Sequence, residues 1–351
     1  MKVSEICKYA PKSNIKARDA CDGGKYVFFT SSADESKRYN AYQHEGEGII
    51  MGTGGNATLH YYDGKYAVST DCIVLLPNEQ IRCKYLYYFF LGNMRVLERG
   101  FKGAGLKHTN KGYIGDIDIG DIPSFERQEK IIGIFDTLQS IIDLRKSEIE
   151  RLDNLIKARF VEMFGSPVSN PMSWEKRTLK EVCIKLNDGS HFSPESFETG
   201  DYKYVTAKNI KFSGFDFSNI TYVPEAVHRP IFDRCNPEFE DVLYIKDGAT
   251  TGVAIVNTLD EEFTLLSSVA LLKQDRSIMN GYFLATLLNN KDMYLNIRNN
   301  MGGAAITRLT IAKLNAIEII VPPIELQNQF AAFVAEVDKS KLMFQKLHQK
   351  L

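Results

Sequence analysis

Along residues 124–164 apolar side chains return at a fixed interval. Phe135, Ile142, Ile149, Ile156 and Met163 fall seven apart, Leu138 and Leu152 sit three positions on, and Arg145 and Arg159 interrupt. That spacing marks the seam of a coiled coil. The C-terminal stretch does the same: Phe330, Val337, Phe344 and Leu351 are seven apart, with Phe333 and Leu347 three on. Helices are therefore predicted over 124–164 and 324–351, about 60 Å and about 42 Å long at about 1.5 Å per residue. Pro123-Ser124 opens the first, with Ser124 as N-cap and Glu126 and Glu129 in the first turns; Gly165, Pro167 and Pro171 close it. A helix this long with an apolar stripe needs a partner. Its own repeat is the nearest one, which predicts an antiparallel pair; the alternative is a zipper between two copies of the chain.

The remaining pattern is different. "KYVFFT", "YAVSTDCIVLLP", "YKYVTAKNI" and "GVAIV" are short β-branched or aromatic runs between Gly, Asn and Asp turns, and they read as strands. One helix per unit is predicted, near Tyr85–Leu97 and Gly281–Ile297. The fold class is α+β.

Sliding the chain by 200 positions brings like onto like. Gly103-Ala104-Gly105-Leu106 falls on Gly303-Ala304-Ala305-Ile306, and Ile117-Asp118-Ile119 on Ile317-Glu318-Ile319. One residue out of step, Pro123, Glu126 and Gln128 meet Pro322, Glu325 and Gln327. Upstream, "VSEIC" resembles "LKEVC" and "GIIMGTGGNA" resembles "DVLYIKDGATTG". The chain is an internal repeat with pseudo-twofold character: β-rich unit, long helix, β-rich unit, long helix. The boundaries fall at 1–122, 123–166, 167–322 and 323–351.

Composition narrows the class without naming it. A net charge of −1 across 351 residues does not announce a polyanion binder, although local patches can hide in a neutral total. The six cysteines show no CxxC pair and no zinc spacing, as expected for free thiols in the cytoplasm. The N-terminus has no apolar core of a signal peptide, and no apolar run is long enough to span a membrane.

The repeated strand–Pro–x–x–E–x–Q–helix junctions, "SWEKRTLKEVC" opening a unit, "NDGSHFSP" and "YIKDGATTGVAIV" together resemble the specificity (S) subunits of type I restriction–modification systems, over the whole chain. The resemblance implies two target recognition domains, each reading half of a bipartite, asymmetric DNA site. It implies that the two long helices form an antiparallel coiled coil that fixes the half-site spacing and docks two methyltransferase (modification) subunits. It implies no catalysis and no cofactor in this chain: S-adenosylmethionine belongs to the methyltransferase partner, and ATP and magnesium to any restriction subunit that joins. A type IIB-like system, whose specificity subunits are built alike, remains an alternative. A coiled-coil scaffold whose two heads bind something other than DNA is another. Half-sites one DNA turn apart are about 34–36 Å from each other, a distance such helices can span.

Reading base edges needs Arg, Lys, Asn, Gln, Ser or Thr on loops, and positioning needs cations on phosphates. Residues 1–40 hold eight basic against five acidic side chains. The first unit's candidates are Thr30, Ser31, Ser32, Lys37, Arg38, Asn56, Lys102 and Lys107. The second unit's are Asn187, His191, Lys208, Asn209, Lys211, Lys246, Thr250, Arg298 and Arg308. Lys208 and Asn209 come first, because "TAKNI" ends a strand where "TSSAD" ends one in the first unit.

Enzymatic readings fit less well. "NPEF" departs from the methyltransferase D/N-P-P-Y/F motif at its second proline, and "GAGLKHTNKG" lacks the G-K-[ST] of a nucleotide loop. A nuclease would need clustered carboxylates with a lysine; Asp241 and Lys246 sit on the right kind of β-run, but an acid–strand–lysine arrangement is common by chance. The six histidines have no ligand spacing.

Overall fold

A computed structural model describes residues 1–299 and 308–348 of the chain, with side chains through Met343. The Gly303–Ile306 stretch of the repeat and the seam positions Phe344, Leu347 and Leu351 lie outside the described residues or side chains. The chain forms two compact units, Met1–Asp143 and Leu144–Leu351.

In the first unit a short helix α1 (Val3–Ile6) leads into β1 (Cys7–Tyr9), β2 (Tyr26–Phe29), β3 (Arg38–Tyr39), β4 (His44–Gly52), β5 (Leu59–Val68) and β6 (Cys72–Pro77). They make one six-stranded sheet in the order β1-β6-β4-β5-β2-β3. Only the β2–β5 pair is parallel, with Val27 opposite Tyr66 and Phe29 opposite Val68. The run Ile49–Met51 is buried on both faces, which is why it reads as continuous rather than alternating. The helices α2 (Cys83–Gly92), α3 (Met94–Glu98) and α4 (Lys111–Gly115) cover one face, and Leu86, Phe90, Leu97 and Ile114 close the core against Ile49 and Leu75.

The helix α5 (Phe125–Phe164) is continuous over 40 residues. Its N-terminus is capped by Ser124, whose Oγ accepts from the Arg127 N–H at 3.4 Å.

The second unit repeats the plan. Its elements are β7 (Lys176–Thr178), α6 (Leu179–Val182), β8 (Cys183–Asp188), β9 (Tyr202–Val205), β10 (Ile210–Lys211), β11 (Gly214–Phe215), β12 (Thr221–Val223), α7 (Glu225–Arg234), β13 (Val242–Ile245), β14 (Ala254–Val256), β15 (Phe263–Leu265) and β16 (Val269–Gln274). There follow α8 (Gly281–Asn289), α9 (Lys291–Asn299), α10 (Ile311–Asn315), β17 (Glu318–Ile320) and α11 (Ile324–His348). The sheets run β14-β13-β16-β8 and β12-β9-β15, and β15 pairs with β9 in parallel. This is the first unit's order with its long strand β5 divided into β14 and β15. The 200-residue offset holds in space as well: α4 and α10 occupy 111–115 and 311–315, each with a capped N-terminus (Asn110 and Thr310).

Several sequence expectations need correction. The single helix expected in each unit is two, broken at Asn93 and at Asn290. Asparagine leaves helices readily, and the Asn290 side chain caps α9 by accepting from the Asp292 N–H at 3.0 Å. "YAVSTDCIVLLP" is the end of β5, a turn over Ser69–Asp71, and β6. "YKYVTAKNI" ends its strand at Val205 and turns through a helical loop at Ala207–Asn209.

Within the second unit the end of α5 and α11 run antiparallel. Phe160 meets Phe330 edge-on at 5.6 Å, Arg159 lies over the Phe333 ring, and Lys341 pairs with Asp153 at 2.7 Å. As the α5 number falls the α11 number rises, which fixes the sense. Phe330 and Val337 are buried, Ile149, Leu152, Ile156 and Met163 half-buried. The tightest contacts are those a strict heptad misses: Phe160, Phe164, Phe283 and Phe330 pack ring on ring. Phe135 departs from the expected seam. It stacks on Tyr88 of α2 at 4.9 Å, beside Asp136, which takes hydrogen bonds from Lys84 Nζ (2.8 Å) and Tyr88 Oη (2.5 Å). Leu138 and Ile142, on the same half of the helix, are half-buried.

Candidate functional site

The flagged loops of the first unit meet at one edge of its sheet. Ser31 Oγ donates to the Asp71 carbonyl (2.5 Å) and accepts from the Thr53 N–H (3.3 Å). The Gly55 N–H donates to the Lys107 carbonyl (2.9 Å), and the Thr109 N–H to the Thr53 carbonyl (3.0 Å). Loops 30–37, 53–58 and 102–109 are thereby tied into one surface. Buried His60 holds its rim, with Nδ1 2.7 Å from Glu35 Oε1 and Nε2 3.1 Å from the Ser32 carbonyl oxygen. Asn56, Lys102 and Lys107 stand exposed there. Thr30 is buried and accepts from Lys37 Nζ at 3.2 Å, while the Arg38 guanidinium donates to the carbonyls of Glu35 and Lys37. Those three side chains shape the loop.

The second unit builds the matching edge from the matching positions. The Leu309 N–H donates to the Lys246 carbonyl (2.8 Å), as Thr109 does to Thr53. The Lys246 N–H donates to the Ser268 carbonyl (2.9 Å), as Thr53 does to Asp71. Where the first unit has neutral Thr53, this one has a buried ammonium. Lys246 is 2% exposed, with its Nζ 3.3 Å from Asp188 and 2.8 Å from Asp247. Asp188, also buried, reaches His191 Nε2 (3.0 Å) and Arg234 (3.5 Å), and Asp247 reaches Arg308 (3.3 Å). A buried charge is tolerated only when paired and hydrogen-bonded, and here buried Asp188 and partly exposed Asp247 hold buried Lys246 and the outward Arg234 and Arg308. The effect is a basic rim of Arg234, Arg308 and His191 fixed over an acidic base. Asn187 helps by donating to the Arg234 carbonyl at 3.0 Å.

Lys208, Lys211 and Thr250 are exposed on neighbouring loops, and half-buried Arg298 donates to the Thr251 carbonyl (2.9 Å). Asn209 departs from expectation. It is buried: its Oδ1 accepts from the Thr206 N–H and hydroxyl (both 3.0 Å), and its Nδ2 donates to the Asp216 carbonyl (3.2 Å). Lys246 and Asn209 are thus engaged within the protein, and Lys208 is the member of its pair that faces outward. Arg234 and Asp188 are not among the candidates named from the sequence; for Asp188, an acid beside Gly189 on a strand end was the available signal.

Little here supports nucleophilic or acid–base chemistry. Burial pushes the thiols of Cys7, Cys183 and Cys235 up to about 12 and that of Cys72 up to about 11, so they stay protonated. Asp241 and Lys246 point into separate ion pairs, Asp241 with Lys273 at 3.2 Å. Among the described residues no group of three or more His, Cys, Asp or Glu side chains is placed to hold a metal, and no helix is long and apolar enough to cross a membrane.

Comparison with known proteins agrees with this architecture. The family described as "Type I restriction modification DNA specificity domain" matches twice, over residues 1–154 and 171–351. A curated relative, the type I restriction enzyme EcoDI specificity subunit of Escherichia coli, is 24% identical over 157 residues. That match takes in 45% of this chain and 34% of the relative, so the chain aligns with about a third of that protein's length. Among solved structures, the S subunit of a type I restriction–modification system from M. genitalium has a TM-score of 0.63 at 15% identity, covering 100% of this chain and 91% of that one. This likeness is one of fold.

Proposed function

The chain belongs to the type I restriction–modification DNA specificity domain family, and from that premise we propose that it is the sequence-reading subunit of such a system. Each unit grips one half of a bipartite DNA site. The first does so with the edge carrying Asn56, Lys102 and Lys107, the second with the rim of His191, Arg234 and Arg308. The helices α5 and α11 act as spacers and as docking rods for two methyltransferase subunits, and a restriction subunit can join the assembly. Catalysis, S-adenosylmethionine, ATP and magnesium belong to those partners. The site of action is the cytoplasm, where the DNA is.

The observation that carries this reading is the doubled frame. One strand order appears twice, and in both copies the polar loops converge on the same edge through equivalent backbone bonds, Thr109 to Thr53 and Leu309 to Lys246. A shared frame with different loop chemistry suits two readers of two different half-sites.

A mobility-shift titration of the full chain against random duplexes tests the binding. Affinity should fall steeply between 50 and 200 mM salt, by about a thousand-fold or more if six or so phosphates are contacted. Binding that does not respond to salt would favour a ligand other than nucleic acid.

A further inference from the structure

The two units close the same connection with different lengths of chain. Between Thr30 and β3 the first unit uses residues 31–37; between Thr206 and β12 the second uses residues 207–220. The additional residues form the β10–β11 hairpin, in which Ile210 pairs with Phe215 and Lys211 with Gly214. The frame does not require this hairpin, since the first unit does without it.

The hairpin is nevertheless firmly held. Asn209 clasps its two ends: its carbonyl accepts from the Asp216 N–H at 2.8 Å, and its Nδ2 donates back to the Asp216 carbonyl. The Phe215 ring meets buried Phe263 edge-on at 6.2 Å and stacks on Phe217 at 5.2 Å. At the tip the sequence places Phe212, 65% exposed, beside exposed Lys211. A large apolar ring held out in water on a rigid turn is a cost to the free protein. It does not stand alone. Its ring lies 6.2 Å from that of Tyr294, and Arg298 sits over the Tyr294 ring and donates to its hydroxyl at 3.0 Å. Tyr294 in turn closes on Gly252, where a Cβ would fall 2.5 Å from the ring. The hairpin tip is thus joined, ring to ring, to the loop that carries Thr250 and Thr251.

We propose that Phe212 is a stacking residue of the second unit, laid against a base face that opens where a step of the duplex unstacks in that unit's half-site, with Lys211 on the adjacent phosphate. The proposal rests on the reading of the chain as a DNA-specificity subunit. A π-face flanked by cations is the chemistry that meets bases and their phosphates: stacking supplies affinity with little base identity, and inserted aromatics select steps that unstack cheaply. Asn209 is then a positioning residue, acting through the hairpin.

The test uses the full chain, co-expressed with its host's modification subunit, and a library of randomised duplexes. The wild type, Phe212→Ala, Phe212→Trp and a first-unit variant, Asn56→Ala, are each used to select bound duplexes. The wild type should enrich a two-part motif. Phe212→Ala should lose about ten-fold or more in affinity and blur one half of the motif, while the half blurred by Asn56→Ala, whose amide can read a base edge, stays intact. Phe212→Trp should restore affinity. 2-Aminopurine placed along the blurred half should change fluorescence at one step with the wild type and not with Phe212→Ala. An affinity and motif unchanged in Phe212→Ala, or both halves blurred together, overturns the proposal while leaving the DNA-reading function standing. If the wild type enriches no motif at all, the functional reading fails and the proposal falls with it.

Discussion

Gln128 and Gln327 make the same three hydrogen bonds, one set in each unit. Gln128 Oε1 accepts from the Arg82 N–H at 2.8 Å, and its Nε2 donates to the carbonyls of Pro123 (2.9 Å) and Gln80 (3.5 Å). Gln327 Oε1 accepts from the Asn280 N–H at 2.9 Å, and its Nε2 donates to the carbonyls of Pro322 (2.7 Å) and Ile278 (3.0 Å). Both side chains are buried. The amide serves as a clamp between the start of the long helix and the loop before α2 or α8. This explains why the chain writes Pro and Gln five apart twice over: only an amide of this length offers one acceptor and two donors at that point.

The clamp predicts a measurable cost. Gln327→Ala strands three backbone groups, the buried Pro322 carbonyl among them, and should cost about 1–3 kcal/mol. The sole tryptophan, Trp174, lies in the same unit and donates its indole N–H to the Phe164 carbonyl at 3.0 Å. Urea unfolding followed by its fluorescence should show an earlier midpoint in the variant. An unchanged midpoint would mean that the clamp is not load-sharing.

The ion cluster at the second unit's edge makes a sharper prediction. Removing one partner of a buried pair leaves a charge without compensation, at about 3–5 kcal/mol. Lys246→Met should destabilise by about that much. Asp188→Asn should as well, and the double variant should lose clearly less than the two losses combined. Additive losses in a double-mutant cycle would show that the pair is not coupled.

How far the sequence revealed this arrangement depended on the kind of signal. The repeat was legible because the Gln128 and Gln327 clamps demand specific residues at fixed spacing. The antiparallel helix pair was legible because apolar periodicity survives any packing detail. Phe135 misled because a heptad records which face is apolar and does not say which neighbour covers it; that neighbour is Tyr88. Asn209 misled for a related reason. A polar residue on a loop can face outward or tie the loop together, and only the position of Asp216, seven residues on, distinguishes the two. The Asp188–Lys246 pair joins residues far apart in sequence, so no local pattern announces it.

Acid should weaken the second unit through His228. Its ring is fully buried, stacked on Tyr202 at 3.7 Å, with Nδ1 2.9 Å from Thr264 Oγ1. Burial lowers its pKa below the ordinary 6.5; Glu262 pulls the other way, but that carboxylate is shared with Arg229 at 2.8 Å. The unfolded chain therefore binds the proton more readily, and stability rises with pH. The neutral ring's contribution is full above about pH 6.5 and is lost as pH falls below it. Thermal midpoints of the wild type should decline from pH 7 to pH 5 more steeply than those of His228→Phe. Parallel curves would assign the acid sensitivity elsewhere.

The phosphate contacts proposed for the first unit have their own signature. Lys102→Ala and Lys107→Ala should weaken binding about equally on all sequences, and each should reduce the slope of log affinity against log salt by about 0.9. A loss confined to one sequence, with the slope unchanged, would mean that these lysines touch base edges rather than phosphates.

The division of labour between the units is tested most directly by exchange. Residues 1–122 are replaced with the corresponding unit of another family member, and adenine methylation is mapped across the genome of a host carrying the exchanged chain with its modification subunit. The account predicts that one half of the methylated motif changes and the other stays as it was. A motif altered in both halves, or in neither, would contradict it.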